Sequence, residues 1–184
     1  FYDLITNKRY GLGEYVSESS LDKWTLYQIA KYCDELVDNG TGEAGLDGKE
    51  PRFACNLFLT TQEEAFTVIN NLASVFRGIC YWMSGKIFPV QDKPKSAIQL
   101  FTNANVLNGL FTYSSTGKGQ RRTVCNVRWN DPEDFFRPAT ETVEDTAGVI
   151  RFGVREFDVG AFACTSRGQA YRVGKWSLLS ERLE

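Results

Sequence analysis

The chain has 184 residues, a net charge of −2, an isoelectric point near 5.4, 42% hydrophobic and 14% aromatic residues, and no histidine. Without histidine, Ser-His-Asp and Cys-His catalytic arrangements, HExxH zinc sites and Cys2His2 fingers are excluded within this chain, and the mild acidity argues against a surface for non-specific nucleic-acid or anionic-membrane binding. The apolar content suffices for a packed core burying about 70% of the unfolded surface, and no apolar run approaches the ~20 residues of a membrane span.

Tyr2 to Tyr10 reads as a short helical turn closing at Gly11. A longer helix is expected from Ser19-Ser20, with Ser19-x-x-Asp22 as an approximate capping box. Its apolar face is read as Leu21, Trp24, Tyr27 or Gln28, Ala30, Cys33 and Val37. From Asp38 to Pro51 the composition turns to glycine and acid, which marks a loop and an internal seam. The string Gly40-Thr-Gly42-Glu-Ala-Gly45 matches a dinucleotide fingerprint in letters only. That motif needs a strand before it and a helix after it; here a helix precedes, and Gly48 and Pro51 follow. A calcium loop counted from Asp38 fails as well, with Glu43 where glycine is required and Lys49 where glutamate is required. No cofactor or metal is expected.

The centre of the chain, Phe53 to Phe88, reads as strand, helix, hairpin. Phe53, Cys55, Leu57 and Leu59 alternate with Ala54, Asn56, Phe58 and Thr60, a period of two. Thr61-Gln-Glu-Glu64 is a capping box. Ala65, Phe66, Ile69, Leu72, Ala73 and Phe76 follow at helical spacing, and Gly78 stands where a left-handed cap is expected. Ile79–Met83 and Lys86–Gln91 pair across Ser84-Gly85.

Further strands are expected at Ala97–Thr102, and at Leu110–Ser114 paired with Arg122–Asn130 through Ser115–Gly119. Gly117-Lys118-Gly119 lacks the spacing of a P-loop. Arg137–Val143 is a strand with Ala139, Glu141 and Val143 on one face. Asp145 caps a helix from Thr146 to Phe152 closed by Gly153, and Val154–Val159 is extended. The last helix opens on a capping box, Ser166-Arg-Gly-Gln169, with Ala170, Val173, Trp176 or Ser177, and Leu179 or Ser180 inside. Gly168 and Gly174 allow close approach to a neighbour. The fold class is therefore α+β, small antiparallel sheets with packed helices. The division is a helical N-terminal segment, 1–49, and an α+β part, 50–184, or one continuous domain.

Candidate chemistry is sparse. Asp131, Glu133 and Asp134 cluster in a turn, and Glu141, Glu144 and Asp145 near a strand end. A glycosidase needs two carboxylates facing one cleft, and nothing in these spacings makes them face anything. The five cysteines include no CxxC pair and read as small buried hydrophobes. No catalytic, cofactor-binding or metal residue is assigned.

Longer strings go further. Lys8-Arg-Tyr-Gly-Leu-Gly13 is followed by Asp22-Lys-Trp-Thr-Leu-Tyr-Gln-Ile-Ala-Lys-Tyr-Cys-Asp34, Glu50-Pro-Arg-Phe53, Gln91-Asp-Lys-Pro94, Val143-Glu-Asp145 and Phe162-Ala-Cys-Thr-Ser-Arg-Gly-Gln-Ala-Tyr-Arg172. In that order, nearly end to end, they resemble the tip attachment (host specificity) protein J family of lambda-like bacteriophages, the central tail-tip proteins. A chain opening on Phe1 fits an internal segment of such a protein. The resemblance implies a baseplate-hub type α+β unit of a trimeric hub, joined to other tail-tip proteins, supporting a path through which DNA passes as cargo. Host outer-membrane receptor contacts belong to other regions of the parent. It implies a virion tail-tip location after synthesis in the host cytoplasm, and a structural role rather than an enzymatic one. A receptor- or carbohydrate-binding module would instead expose coplanar aromatic rings, and a cell-wall hydrolase would need inward-facing carboxylates. The hub reading expects a segment that is monomeric or weakly associated alone, with an apolar patch that the full assembly covers.

Overall fold

The computed structural model describes residues 1–40, 48–60, 63–114, 117 and 121–183. Among the described residues, five α-helices and seven strands are arranged around two apolar clusters, an α+β architecture.

The first cluster gathers α1 (Tyr2–Thr6), α2 (Lys23–Asp34), α3 (Ala65–Val75) and the hairpin of β3 (Gly78–Met83) with β4 (Lys86–Gln91). Its buried side chains include Ile5, Leu21, Ile29, Ile69, Phe76 and Ile87. The expected hairpin forms in register, Met83 opposite Lys86. Ser84 (φ 52) and Gly85 (φ 73) both take positive φ, the geometry that suits the twist of a two-residue hairpin. The left-handed residue after α3 is Arg77 (φ 55), not Gly78. Gly78 is needed for another reason: a Cβ there would collide with the Phe76 ring and the Val90 carbonyl.

In α2 the cap is Asp22 alone. Its Oδ1 accepts from the backbone N–H of Trp24 (3.1 Å) and Thr25 (3.2 Å), and its Oδ2 from the Thr25 hydroxyl (2.7 Å). Ser19 lies in a separate 3-10 turn, Glu18–Ser20. Of the expected face Leu21 and Cys33 pack inward, joined by Leu26, Ile29 and Tyr32, while Trp24, Tyr27 and Ala30 face outward. The Thr25 hydrogen bonds, ahead of the other contacts, hold the Asp22 carboxyl below the usual carboxylate range. Its stabilising contribution is therefore present above the unfolded-state value and is lost as pH falls through the folded-state one. Asp22→Ala is expected to cost about 1 kcal/mol at neutral pH. In urea unfolding followed against pH, that gap closes as the medium becomes acidic enough to protonate the cap; a gap unchanged into strong acid would contradict the cap assignment.

The second cluster lies between a three-stranded sheet and α5 (Arg167–Leu183). The strand order is β6 (Arg137–Glu144), β5 (Val124–Asp131), β7 (Glu156–Gly160), antiparallel then parallel. The crossover from β6 to β7 passes through α4 (Thr146–Phe152), which Gly153 (φ 79) terminates as expected. The Asp145 side chain makes no cap hydrogen bond to that helix. Along β5, Cys125, Val127 and Trp129 point into the core, and Val143 of β6 meets them. Ala170, Gly174 and Leu178 form the buried stripe of α5.

Three expected strands do not form. Leu110–Ser114 finds no partner because a strand has two hydrogen-bonding edges, and β6 and β7 occupy both edges of β5. Residues 97–102 also carry no strand. In 53–60, the backbone of Phe53, Ala54 and Asn56 bonds to a helix-end carbonyl, a glutamine side chain and a loop carbonyl instead of a ladder. The acidic stretch, expected as a loop, ends in β2 (Lys49–Pro51), which pairs antiparallel with β1 (Leu36–Asp38) just before it. Its fingerprint and calcium-like strings fall largely on residues 41–47, outside the described residues. So do Thr61 of the expected capping box, for which α3 has Glu64 at the cap without a side-chain bond, and most of the 115–119 turn.

Candidate interaction surface

The two clusters are tied together along α5. Arg172 sits at the junction, about four-fifths buried with its partner Glu50 of β2. Besides that ion pair it donates to the carbonyls of Arg52 (2.9 Å), Pro51 (3.3 Å) and Asp38 (3.4 Å). Ser166 also donates to Glu50, and the Ser166 hydroxyl accepts from the Gln169 backbone N–H (3.2 Å). Half of the expected capping box is thus present. The Gln169 side chain does not return to the cap. It is buried and grips the backbone of Ala54, accepting from its N–H (2.9 Å) and donating to its carbonyl (3.1 Å).

Next to this junction lies a cavity of about 560 Å³ between Phe53, Arg77, the end of β6 with the residues that follow it, and α5. Arg77 crosses its floor, between the rings of Phe53 (5.3 Å) and Trp176 (5.1 Å), and donates to the Arg172 carbonyl (3.0 Å). Burial, the largest cause, lowers the Arg77 guanidinium to about 10. Trp176 is not part of the inner stripe; its indole N–H donates to Asp92 (3.1 Å) at the cavity edge.

The two acidic clusters lie apart. Glu141 is engaged by Arg167 at 2.8 Å, and Asp145 by Arg182 at 3.9 Å. Asp131, Glu133 and Asp134 occupy the tight turn between β5 and β6, where Asp131 accepts from the Glu133 N–H (2.9 Å). The structure does not bring the two groups together across one cleft: the first sits in the turn at one end of the β5–β6 ribbon, Glu144 and Asp145 at the other end, and Glu141 midway, paired with Val127. Among the described residues no cluster of three or more metal-ligating side chains forms, and no helix is long and apolar enough to cross a membrane.

A different feature dominates the surface. From Pro94 to Ser114 every residue is exposed except Val106 and Gly109, which are half-buried. Ile98 is 92% exposed, and Leu100, Leu107, Leu110 and Tyr113 also stand out in solvent. A second extended stretch, 54–60, exposes Phe58, Leu57 and Leu59. Side chains that the strand pattern put in a core therefore lie on two exposed arms, the longer one bent by a 3-10 turn at Leu107–Gly109. Such contiguous apolar exposure marks an interaction surface.

Comparison with known proteins gives the family. The family model described as "Putative phage tail protein" matches residues 64–184. The chain belongs to this phage tail protein family. It is also similar to the tip attachment protein J of Escherichia phage SECphi27, 38% identical over 96% of the chain, and to that of Escherichia phage SECphi4, 33% identical over its full length. The chain spans 14% and 16% of those two proteins. The resemblance read from the strings above is therefore borne out, and these relatives support a structural role at the phage tail tip.

In this tail-protein segment the cysteines are free thiols. Burial, the first cause at each, pushes Cys33, Cys80 and Cys125 up to about 11, and raises Cys164 as well. Cys55 lies exposed on the 54–60 arm, against the expectation that it packs inside. At pH 8 a small thiol reagent is expected to label Cys55 first and the half-buried Cys33 more slowly, with the three buried thiols following only on unfolding. Intact-mass analysis would show a single adduct as the dominant early product; several adducts at equal rates would contradict this burial pattern. Arg172 and Gln169 could have been noticed as the two polar residues beside the buried stripe of α5. Nothing local to them signals that their partners lie more than a hundred residues away.

Proposed function

We propose that the chain is a structural segment of the tail-tip hub, acting by surface complementarity without bond-making chemistry of its own. In the assembled tail it self-associates within a trimeric hub and joins other tail-tip proteins. The hub supports the path along which DNA leaves, and receptor contact falls to other regions of the longer protein. The segment is made in the host cytoplasm and ends in the virion tail tip.

The observation that carries this reading is the pair of exposed apolar arms, 54–60 and 94–114. Left in water, side chains such as Ile98, Leu107 and Phe58 forgo roughly 1.5–3 kcal/mol of burial each, so a partner that covers them gains that amount before ordering costs. The chain works as one unit: β2 is pinned by Glu50 to Arg172 of α5, which couples the 1–49 part to the 50–184 part.

The test is replacement of Leu100, Leu107 and Leu110 by serine in the full-length tail protein of an infectious phage. These side chains are exposed, so the segment should fold as before. Tails counted by electron microscopy and plaques counted on the host are expected to fall together. Normal numbers of complete tails would overturn the reading.

A further inference from the structure

We propose that the cavity beside Arg77 receives the acidic, aromatic turn between β5 and β6 of a second copy of this chain, in a head-to-tail contact. The inference rests on the self-association read above and deepens it by naming the two surfaces.

The cavity wall carries five cationic side chains, Arg52, Arg77, Arg172, Lys175 and Arg182, against two carboxylates, Glu144 and Asp145. Three of the five are engaged within the chain: Arg172 by Glu50, Arg52 by Glu35 and Arg182 by Asp145. Arg77 is held by aromatic rings and donates to a carbonyl, and Lys175 lies over the Tyr171 ring at 5.2 Å. Among the described residues neither of these two makes a carboxylate ion pair. The buried Nε of Arg77 also lacks a hydrogen-bond partner. A cavity lined by Trp176 and Phe53, with Arg77 and Lys175 outside any carboxylate ion pair among the described residues, fits an aromatic side chain flanked by carboxylates. Its volume, about 560 Å³, lies within the roughly 300–1,000 Å³ of ligand cavities.

The chain carries such a ligand at its other end. Asp131, Glu133 and Asp134 precede Phe135 and Phe136, whose rings stand 86% and 60% exposed. Arg137 partly offsets Asp134 at 3.4 Å, which leaves the turn acidic. Both phenylalanines hold positive φ, 53° and 58°, a backbone state that bulky residues rarely adopt. The turn cannot reach the cavity of its own copy. Glu144, on the cavity wall, pairs with Val124 at one end of the ribbon, and Asp131 pairs with Arg137 at the other. The ends are about 24 Å apart at the usual rise of a strand. Two unlike surfaces at opposite ends of one rigid ribbon form a heterologous contact, the type from which closed rings are built.

Sedimentation equilibrium of the chain over rising concentration tests this. The E133K/D134K pair and K175E alter exposed side chains, so folding should be preserved. Each should weaken self-association by roughly tenfold or more. Mixed one to one, the two variants should regain a heterodimer, because one supplies an intact cavity and the other an intact turn. Overturning results are a chain that stays monomeric to millimolar concentration, variants that associate as tightly as the parent, or a mixture that regains nothing. A fourth is K175E weakening the binding of a short DNA duplex while self-association is untouched, which would make the cavity a phosphate site. Loss of tails on altering the 94–114 arm would still stand in any of these cases, so failure here is separable from failure of the hub reading.

Discussion

Replacing Arg172 with methionine is expected to lower the unfolding free energy by about 3 kcal/mol, the cost of breaking a largely buried ion pair from one side. Glu50 would keep only the Ser166 hydroxyl, and the carbonyls of Asp38, Pro51 and Arg52 would lose their donor. Those groups belong to β1, β2 and the residue after it, so the substitution loosens the N-terminal part from α5. Adding Glu50→Leu should return part of the loss, because removing both charges costs less than stranding one. Urea unfolding of the two singles and the double gives the coupling directly. If Arg172→Met and the double lose the same amount, the ion pair is not the joint described here.

Gly174→Leu is expected to cost at least about 3 kcal/mol, at the upper end for overpacking a filled core. A Cβ at this position already comes within 2.7 Å of Val143 Cγ2 and 3.0 Å of Val127 Cγ2. A leucine would push α5 off the β5–β6 face. Gly174→Ala is the informative companion. Helix propensity favours it by about 1 kcal/mol, while the crowding opposes it, so a net loss identifies close approach as the reason for glycine. A gain for alanine would mean that the helix can shift without cost.

Elements whose local pattern and tertiary partner agree were legible from the residues. The β3–β4 hairpin, α3, β6, α4 and the close approach of Gly174 are of this kind. Elements that failed did so for want of a partner. The alternation of Phe53 to Thr60 and the apolar runs at 97–102 and 110–114 describe side chains fit for a sheet, yet both edges of β5 are taken. Period two reports what a segment could bury; it does not supply a neighbour. In α2 the face is partly displaced because Trp24 and Tyr27 look like core residues by type, while Leu26 and Ile29 join the cluster that holds the hairpin. The joints at Arg172 and Gln169 were invisible for another reason: a polar side chain on a helix carries no mark of a backbone partner far away in sequence. The family strings reached the phage tail family where local spacing could not, because they run nearly the whole length of the chain.

Hydroxyl-radical footprinting of the 94–114 arm, in the isolated chain and in assembled tails, addresses the central claim most directly. Leu100, Phe101, Leu107 and Tyr113 should be oxidised readily in the free chain and strongly protected in the tail. Equal oxidation in both states would mean that the tail leaves this surface bare, and that the chain is not held in place by it.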